Sequence, residues 1–385
     1  MTTYDWIVIG GGITGSALAY ELSKQGLKVL LLEKDAQAKN ATFYTYGGLA
    51  YWSGKTDLAK QLGQEGIELH RNLVEELGAE TGFRELDLLL TVPADHDLAK
   101  LAPNYSQFTV KPEILDTQEA CNLEPLLNAE AIAGAFKFPY AQVNGQQIVL
   151  AYQQAFARLG GEIIYEQVTG FIRDQDTIQG VKTVGNEYHA AKTVVCAGGL
   201  TNALLRSAGM NSKTYFTHAL VIKTPPIDQQ LRSIIMPAVQ QRFALEATAK
   251  DLEQDSAWEK PNSQVVQSIL DAGVAQQSDR SLYLGQISAL ITDPNPVLDP
   301  QVAEQQIRAA IATILPDLAT VPGSCHHCLV AFNNENIANV GNLKNIKGIY
   351  LFSGFTSTMI FAPPLAKHFA SWALGVKSPI IEQFF

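Results

Sequence analysis

The chain has 385 residues, 46% hydrophobic and 17% charged, enough for two domains that each bury a core. A formal net charge of -10 and a pI near 5.2 argue against a nucleic-acid partner, because such binders present a basic face. The N-terminus lacks a basic n-region, and Pro363, Pro364, Lys367 and His368 interrupt the most apolar later stretch, so no signal peptide or membrane span is expected. Four scattered cysteines fit a reducing compartment, and the expectation is a soluble, cytoplasmic protein.

In chain order, Trp6 to Ile9 form a short apolar run suited to a buried parallel strand. Gly10, Gly12 and Gly15 follow as G-x-G-x-x-G. A helical stretch then carries Ala17, Leu18 and Leu22 on one face and ends at Gly26. Val29 to Leu32 form a second strand, closing on Glu33, which lies 18 residues after Gly15, with Lys34 next. The first glycine permits a tight turn, the second lets backbone approach a pyrophosphate, and the third lets helix and strand pack closely. The helix N-terminus then offers N–H groups to the phosphates, and an acid at the second strand's end takes the ribose hydroxyls. These residues read as a dinucleotide site.

The motif alone does not separate NAD from FAD. An NAD domain continues in strand-helix repeats, whereas here a loop with Tyr44, Tyr46, Gly47, Gly48, Leu49, Tyr51 and Trp52 follows. Those aromatics read as packing between domains or as lining for a ligand entry. A long amphipathic helix using Leu58, Leu62, Leu73 and Leu77 comes next. Further on, Thr193 to Cys196 form a strand that closes on Ala197, Gly198 and Gly199. Ile349 to Phe352 form another, ending at Gly354 and followed by a helix with Leu365, Phe369 and Trp372. The intervening chain differs in texture and reads as a second domain inserted into the first. The expected division is 1–85, 141–214 and 329–385 for the dinucleotide domain, with 86–140 and 215–328 for the substrate domain.

The segment "SCHHCLV", residues 324–330, brings Cys325 and Cys328 around two histidines. A zinc site normally needs four ligands in two spaced pairs, and a redox pair needs a helix N-terminus beside it. This stretch reads as a strand, which would put Cys328 and His326 on one face and Cys325 and His327 on the other. No metal is expected.

The ordered set of Gly10/Gly12/Gly15 with Glu33, "TYGGLA", "VVCAGG" and "LFSGFTSTMIFAPPLA" resembles the D-amino acid oxidase (DAO) family of FAD-dependent oxidoreductases, which includes glycine oxidase and monomeric sarcosine oxidase. The resemblance implies an α/β fold, α+β overall: a Rossmann-type FAD-binding domain with an inserted antiparallel-sheet substrate domain. It implies hydride transfer from a small amine or amino acid to flavin N5, with oxygen or another acceptor taking the electrons. Gly10, Gly12, Ile13 and Gly15 would hold the pyrophosphate, with Glu33 and Lys34 at the ribose. Gly47, Gly48 and Leu49 would run beside the flavin ring, Val168 would meet adenine, and Ala197 and Gly198 would lie under the cofactor. Gly354, Thr356, Ser357, Thr358 and Met359 match the turn facing the pyrimidine edge. Cys328 matches the position that carries a covalent flavin bond in monomeric sarcosine oxidase, so covalent attachment and a small buried core thiol both stay open.

In amino acid-oxidising members an arginine grips the substrate carboxylate from the strand before the last turn. Here that position holds Val330, with Glu335 and Gly341 at the following Asp and Gly positions. A second arginine, found in the final turn of glycine oxidase, is matched by Ser357. Arg242, Arg280 and Arg84 are the candidate replacements, with Tyr283 a further pocket candidate. His218, His326 and His327 are candidate proton acceptors. Two alternatives remain beside amine oxidation: an FAD-dependent 2-hydroxy acid dehydrogenase, and a flavin-bound protein without amine turnover.

Overall fold

The first strand, β1 (Thr3–Ile9), shows how the chain makes its central layer. Trp6 and Val8 point into a core shared with helices, while Ile7 and Ile9 point to the opposite side, the period of two that a strand imposes. The computed structural model describes residues 3–37, 39–239, 241–248, 258, 260, 263–333 and 336–384. After β1 come α1 (Ile13–Lys24), β2 (Val29–Glu33), β3 (Gly48–Leu49), α2 (Asp57–Leu77) and β4 (Arg84–Pro93). Then follow α3 (Leu98–Leu101), β5 (Glu113–Asp116), α4 (Thr117–Leu123), β6 (Ile132–Gln142) and α5 (Gly145–Arg158). The middle of the chain holds β7 (Glu162–Tyr165), β8 (Val168–Asp174), β9 (Thr177–Thr183), β10 (Glu187–Val195) and α6 (Thr201–Arg206). Next are β11 (Thr214–Lys223), β12 (Ser233–Pro237), α7 (Gln241–Thr248), β13 (Gln264–Gln276) and β14 (Leu282–Ile291). The last are α8 (Pro300–Ile314), β15 (Ser324–Asn333), β16 (Asn339–Asn342), β17 (Ile349–Ser353) and α9 (Thr358–Ala373).

Two sheets form. The first runs β16-β17-β10-β1-β2-β7, with the β8–β9 hairpin added on β10. Its centre is parallel, from β17 through β10, β1 and β2 to β7. Helices α1, α2, α5 and α9 share the core on one face, while the β8–β9 hairpin and α6 cover the other. This is the doubly covered arrangement that parallel strands require. The second sheet runs β15-β11-β14-β13-β12-β4-β6-β3, with β5 on β6. It is antiparallel apart from the β12–β4 pair. Helix α8 packs Ile307 and Ile311 against Leu220, Ile222 and Leu284 on one face. The opposite face turns Phe136, Phe138 and Ile234 toward Trp52 of the early aromatic loop.

The α/β fold with an antiparallel second sheet is therefore as expected. Strands β4 and β6 run from Arg84 and to Gln142, and β15 continues to Asn333, so sheet pairing extends a few residues past the 86–140 and 215–328 segments.

Helix α2 starts where Thr56 Oγ1 accepts the Ala59 N–H and stops at Gly78 in the left-handed region, φ 57°. It crosses α9 closely: a Cβ on Gly66 would lie 2.3 Å from the Ile360 carbonyl oxygen. That proximity reverses the usual preference for alanine within helices. Gly66→Ala is expected to destabilise the fold by about 1–3 kcal/mol through overpacking, measured as a lower urea midpoint. A raised midpoint would mean that the crossing is loose and that intrinsic helix propensity decides.

Candidate active site

Where β1 ends, the backbone passes very close to its neighbours. Gly10 has φ 105°, and a Cβ there would meet the Cys196 carbonyl oxygen at 2.6 Å. A Cβ on Gly15 would lie 1.8 Å from the Gly10 oxygen, so α1 can start here only with glycine at both positions. Helix α1 has Gly12 as its N-cap, with no side chain capping it. The Ile13 N–H donates to Thr42 Oγ1 at 3.2 Å. Glu33 ends β2 buried; its Oε2 accepts the Gly11 N–H at 2.5 Å and its Oε1 the Asp35 N–H at 3.1 Å. Both carboxylate oxygens are thus fixed beside the glycine turn.

This turn opens one end of a cavity of about 840 Å³. The volume lies within the roughly 300–1,000 Å³ typical of small-molecule and cofactor sites. Gly10, Gly12, Ile13, Glu33 and Lys34 line that end, and Val168 lies on the adjoining wall. Ala197 and Gly198, following β10, continue the wall. Gly48, Gly354, Ser357, Thr358 and Met359 line the cavity where the aromatic loop meets the start of α9. Gly15, Gly47, Leu49 and Thr356 stand behind the lining: Leu49 is fully buried, and the Thr356 N–H donates to the Ile337 carbonyl at 2.8 Å. A glycine turn, a helix start whose N-cap residue has no side chain, and a fixed acid fit the pyrophosphate and ribose of a dinucleotide.

The far wall comes from the antiparallel sheet. Cys328 and Val330 on β15 line it, paired with Ala219 and Thr217 on β11. Cys328 packs with Tyr44, Val221 and Tyr283, and His326 stacks on Tyr44 with ring centroids 4.6 Å apart. Cys325 packs instead into the core under α8, and His327 stacks on His218. The two cysteines therefore face opposite sides of one strand. Among the described residues, no group of three or more His, Cys, Asp or Glu side chains could hold a metal ion. Burial pushes the Cys328 thiol up to about 12, although Arg242 pulls the other way.

The candidate arginines separate cleanly. Arg84 donates from Nε to Gln142 Oε1 at 2.9 Å and from Nη2 to the Gln276 carbonyl at 2.5 Å, outside the cavity lining. Arg280 is exposed at the β13–β14 turn with φ 68°, also outside the lining. Tyr283 is buried behind the wall, its hydroxyl donating to the Phe43 carbonyl at 2.9 Å. Arg242, in the first turn of α7, lines the cavity. Its Nε donates to Glu246 Oε1 at 2.9 Å. Glu335 lies outside the described residues.

The histidines divide as well. The Ile291 carbonyl can only accept, so His218 donates to it from Nε2 at 3.0 Å. His218 Nδ1 then accepts from His327 Nε2 at 2.8 Å. Burial holds both imidazoles toward the neutral form, with His327 lowered to about 4. Of the three candidates, His327 lines the cavity, while His326 borders a neighbouring hollow with Lys223 and Lys39.

One supporting residue was not legible in the sequence. Pro363 and Pro364 sit inside α9 and carry no N–H, so the carbonyls of Met359 and Ile360 lose their helical partners. Buried His70 on α2 fills the first gap, donating from Nε2 to the Met359 oxygen at 2.8 Å. No local motif ties His70 to Met359; they lie 289 positions apart. His70→Phe is expected to cost about 1–3 kcal/mol, the range for an unsatisfied buried polar group. Burial lowers the His70 pKa from 6.5 to about 4. The unfolded chain therefore binds the extra proton first, and this contribution is full above pH 6.5 and lost as pH falls toward 4. Urea midpoints across that window are expected to fall less steeply in the variant; parallel curves would place the titration elsewhere.

Comparison with known proteins fits this geometry. The family model described as "FAD dependent oxidoreductase" (DAO) matches residues 5–372. The chain is 23% identical over 377 residues to 4-methylaminobutanoate oxidase (formaldehyde-forming) of Paenarthrobacter nicotinovorans, covering 96% of this chain and 43% of that protein. It is 28% identical over 223 residues to glycine oxidase of Geobacillus kaustophilus, covering 55% of this chain and 59% of that protein. The matched region thus spans less than two thirds of either relative. The crystal structure of glycine oxidase from Geobacillus kaustophilus superposes with TM-score 0.80 at 18% identity, covering 98% of this chain and 96% of that one, a likeness of fold. Among the described residues, no helix is long and apolar enough to cross a membrane.

Proposed function

Because the chain belongs to the DAO family of FAD-dependent oxidoreductases, we propose that it oxidises a small amine or amino acid in the cavity between its two sheets. The observation that carries this reading is the continuity of one cavity from the glycine turn and Glu33 to Arg242 and Asp271 on the substrate side. When bound, FAD supplies the hydride acceptor, and the protein's task is to hold and orient. Gly10, Gly12, Ile13 and Gly15 would set the start of α1 against the pyrophosphate, and Glu33 with Lys34 would hold the ribose. Val168 would meet the adenine, and Ala197 and Gly198 would hold the cofactor from the end of β10. Gly47, Gly48 and Leu49 would run beside the ring.

Gly354, Thr356, Ser357, Thr358 and Met359 bring the start of α9 to the pyrimidine edge. With FAD bound, N–H groups there would favour negative charge on the ring. His327 commits its Nε2–H to His218 on the strand face opposite Cys328 and Val330, and burial keeps it neutral. Tyr44, Tyr46 and Tyr140 line the cavity and limit water around the reacting carbon.

Cys328 is read as a packing thiol, since its burial keeps the sulfur protonated at neutral pH. Acid precipitation of the holoprotein is therefore expected to leave all FAD in the supernatant. Flavin retained on the polypeptide would establish attachment instead.

The reaction class is tested by anaerobic mixing of the holoprotein with panels of amines, amino acids and 2-hydroxy acids while the flavin's visible band is followed. Bleaching by amines or amino acids is expected. Bleaching confined to hydroxy acids would assign C–O oxidation, and a band that no compound bleaches would favour a flavin-bound protein without turnover.

A further inference from the structure

We propose that the hollow behind the aromatic loop is a second ligand site, shaped for a small organic dianion on an apolar or aromatic body. The proposal does not depend on which bond the first cavity oxidises. The hollow has a volume of about 540 Å³, again within the range of small-molecule sites. It is lined by Gly11 and Glu33 at the glycine turn, by Val149 and Leu150 on α5, and by Lys223 and His326 on the second sheet. Lys39, Asn40, Thr42 and Tyr44 line both spaces, so this stretch of loop is the partition between them.

The chain carries a net charge of -10, yet three basic side chains, Lys39, Lys223 and His326, meet in this hollow. Lys223 ends β11 opposite Ser324, and His326 lies two residues further along β15. The two are diagonal neighbours on the face that also carries Cys328. The Lys223 ammonium stands over the rings of Phe43 and Tyr283, 4.4 and 5.5 Å from their centroids. Among the described residues it has no hydrogen bond and no ion pair. His326 is held by its stack on Tyr44 and by a 3.0 Å hydrogen bond between Nε2 and the Ser324 hydroxyl. Burial, and then the charges of Lys223 and Lys39, hold its imidazole below the ordinary pKa, so both ammonium groups lie within electrostatic reach of the ring.

No carboxylate answers this charge. Glu33 is committed to two backbone N–H groups by the glycine turn, and Asp35 pairs with Lys34 at 3.5 Å. Asp279 is felt by Lys223 but is tied up by the Ser281 N–H and hydroxyl. The aromatic rings orient the Lys223 ammonium and leave its N–H donors unused. An anion at this end would take charge-assisted hydrogen bonds from Lys223 and from a protonated His326. The rest of the lining is apolar and open: Leu150 and Tyr165, both on it, stay 47% and 49% exposed. An inorganic ion would use only the basic end, whereas an organic body would also cover these side chains.

The test titrates the holoprotein, its first cavity filled by FAD, with phenyl phosphate, phthalate and phenol by calorimetry at constant ionic strength. Saturable binding of a dianion is expected, with phenol not bound. Tighter binding of phenyl phosphate assigns a phosphate ester, and tighter binding of phthalate a dicarboxylate. Lys223→Met should weaken the preferred dianion about 10- to 100-fold, the loss of a charged hydrogen bond, and His326→Gln should weaken it as well. Should Lys223→Met fail to fold, Leu150→Glu decides: it sets a carboxylate at an exposed position on the same wall and is expected to weaken dianion binding by repulsion. Absence of saturable binding, equal binding of phenol, or a dianion affinity unchanged in Lys223→Met or Leu150→Glu overturns the proposal.

Discussion

The contact on which the architecture depends is the approach of α1 to the end of β1. With only 1.8 Å between the Gly10 oxygen and a hypothetical Cβ on Gly15, no side chain fits, and the helix starts directly over the strand's last peptide. Because β10 lies beside β1 in parallel register, Ile9 opposite Val195, the same turn also meets Cys196 and the small residues after it. The parallel strands thus deliver their C-terminal ends to one edge, where ligands of open α/β sheets bind. Everything else in the site is placed by reference to that edge. Thr42 returns to the Ile13 N–H, Glu33 to the Gly11 N–H, and β17 brings the start of α9 from the other side of β10.

Local pattern made this half legible. Four features lie within the first 33 residues: an apolar strand, three glycines, a helix and an acid closing the second strand. Each has a near-neighbour cause, so each leaves a mark in consecutive residues. The same holds for β15, where alternation alone separates Cys325 from Cys328. The substrate side offered no such mark. Arg84, Arg242 and Arg280 looked equivalent in sequence, and only tertiary placement distinguishes them. Arg84 is bound by Gln142 and by the Gln276 carbonyl, Arg280 is exposed at a turn, and Arg242 faces the cavity. The residues that hold Arg242 lie at 217, 246 and 271, on three elements with no common spacing.

His70 illustrates the same boundary from the opposite direction. The Pro363–Pro364 pair was visible in the sequence and served there to argue against a membrane span. Its structural consequence, two carbonyls without helical partners, follows from the missing N–H groups alone. That the first carbonyl is met by an imidazole from α2, and that Gly66 lets the second helix come close to Ile360, depends on how two helices cross.

Helix α9 also begins under constraint. Ser357 precedes it at φ 47° and ψ 52°, left-handed for a residue with a Cβ, a conformation that costs on the order of 1–2 kcal/mol. Glycine would remove that cost, and a long side chain would still bear it. The feature maintained here is therefore the turn itself, which sets the start of α9 on the cavity wall. Strain at one end of α9 and two prolines within it would be unfavourable together in an isolated helix. Both are tolerated because the helix is clamped from outside. Its first turn is held by the His70–Met359 bond, and Ile360, Leu365 and Phe369 lie fully buried against the core of the parallel sheet. Packing, not intrinsic helicity, supplies the stability, and that leaves the first turn free to be shaped by the cavity it faces.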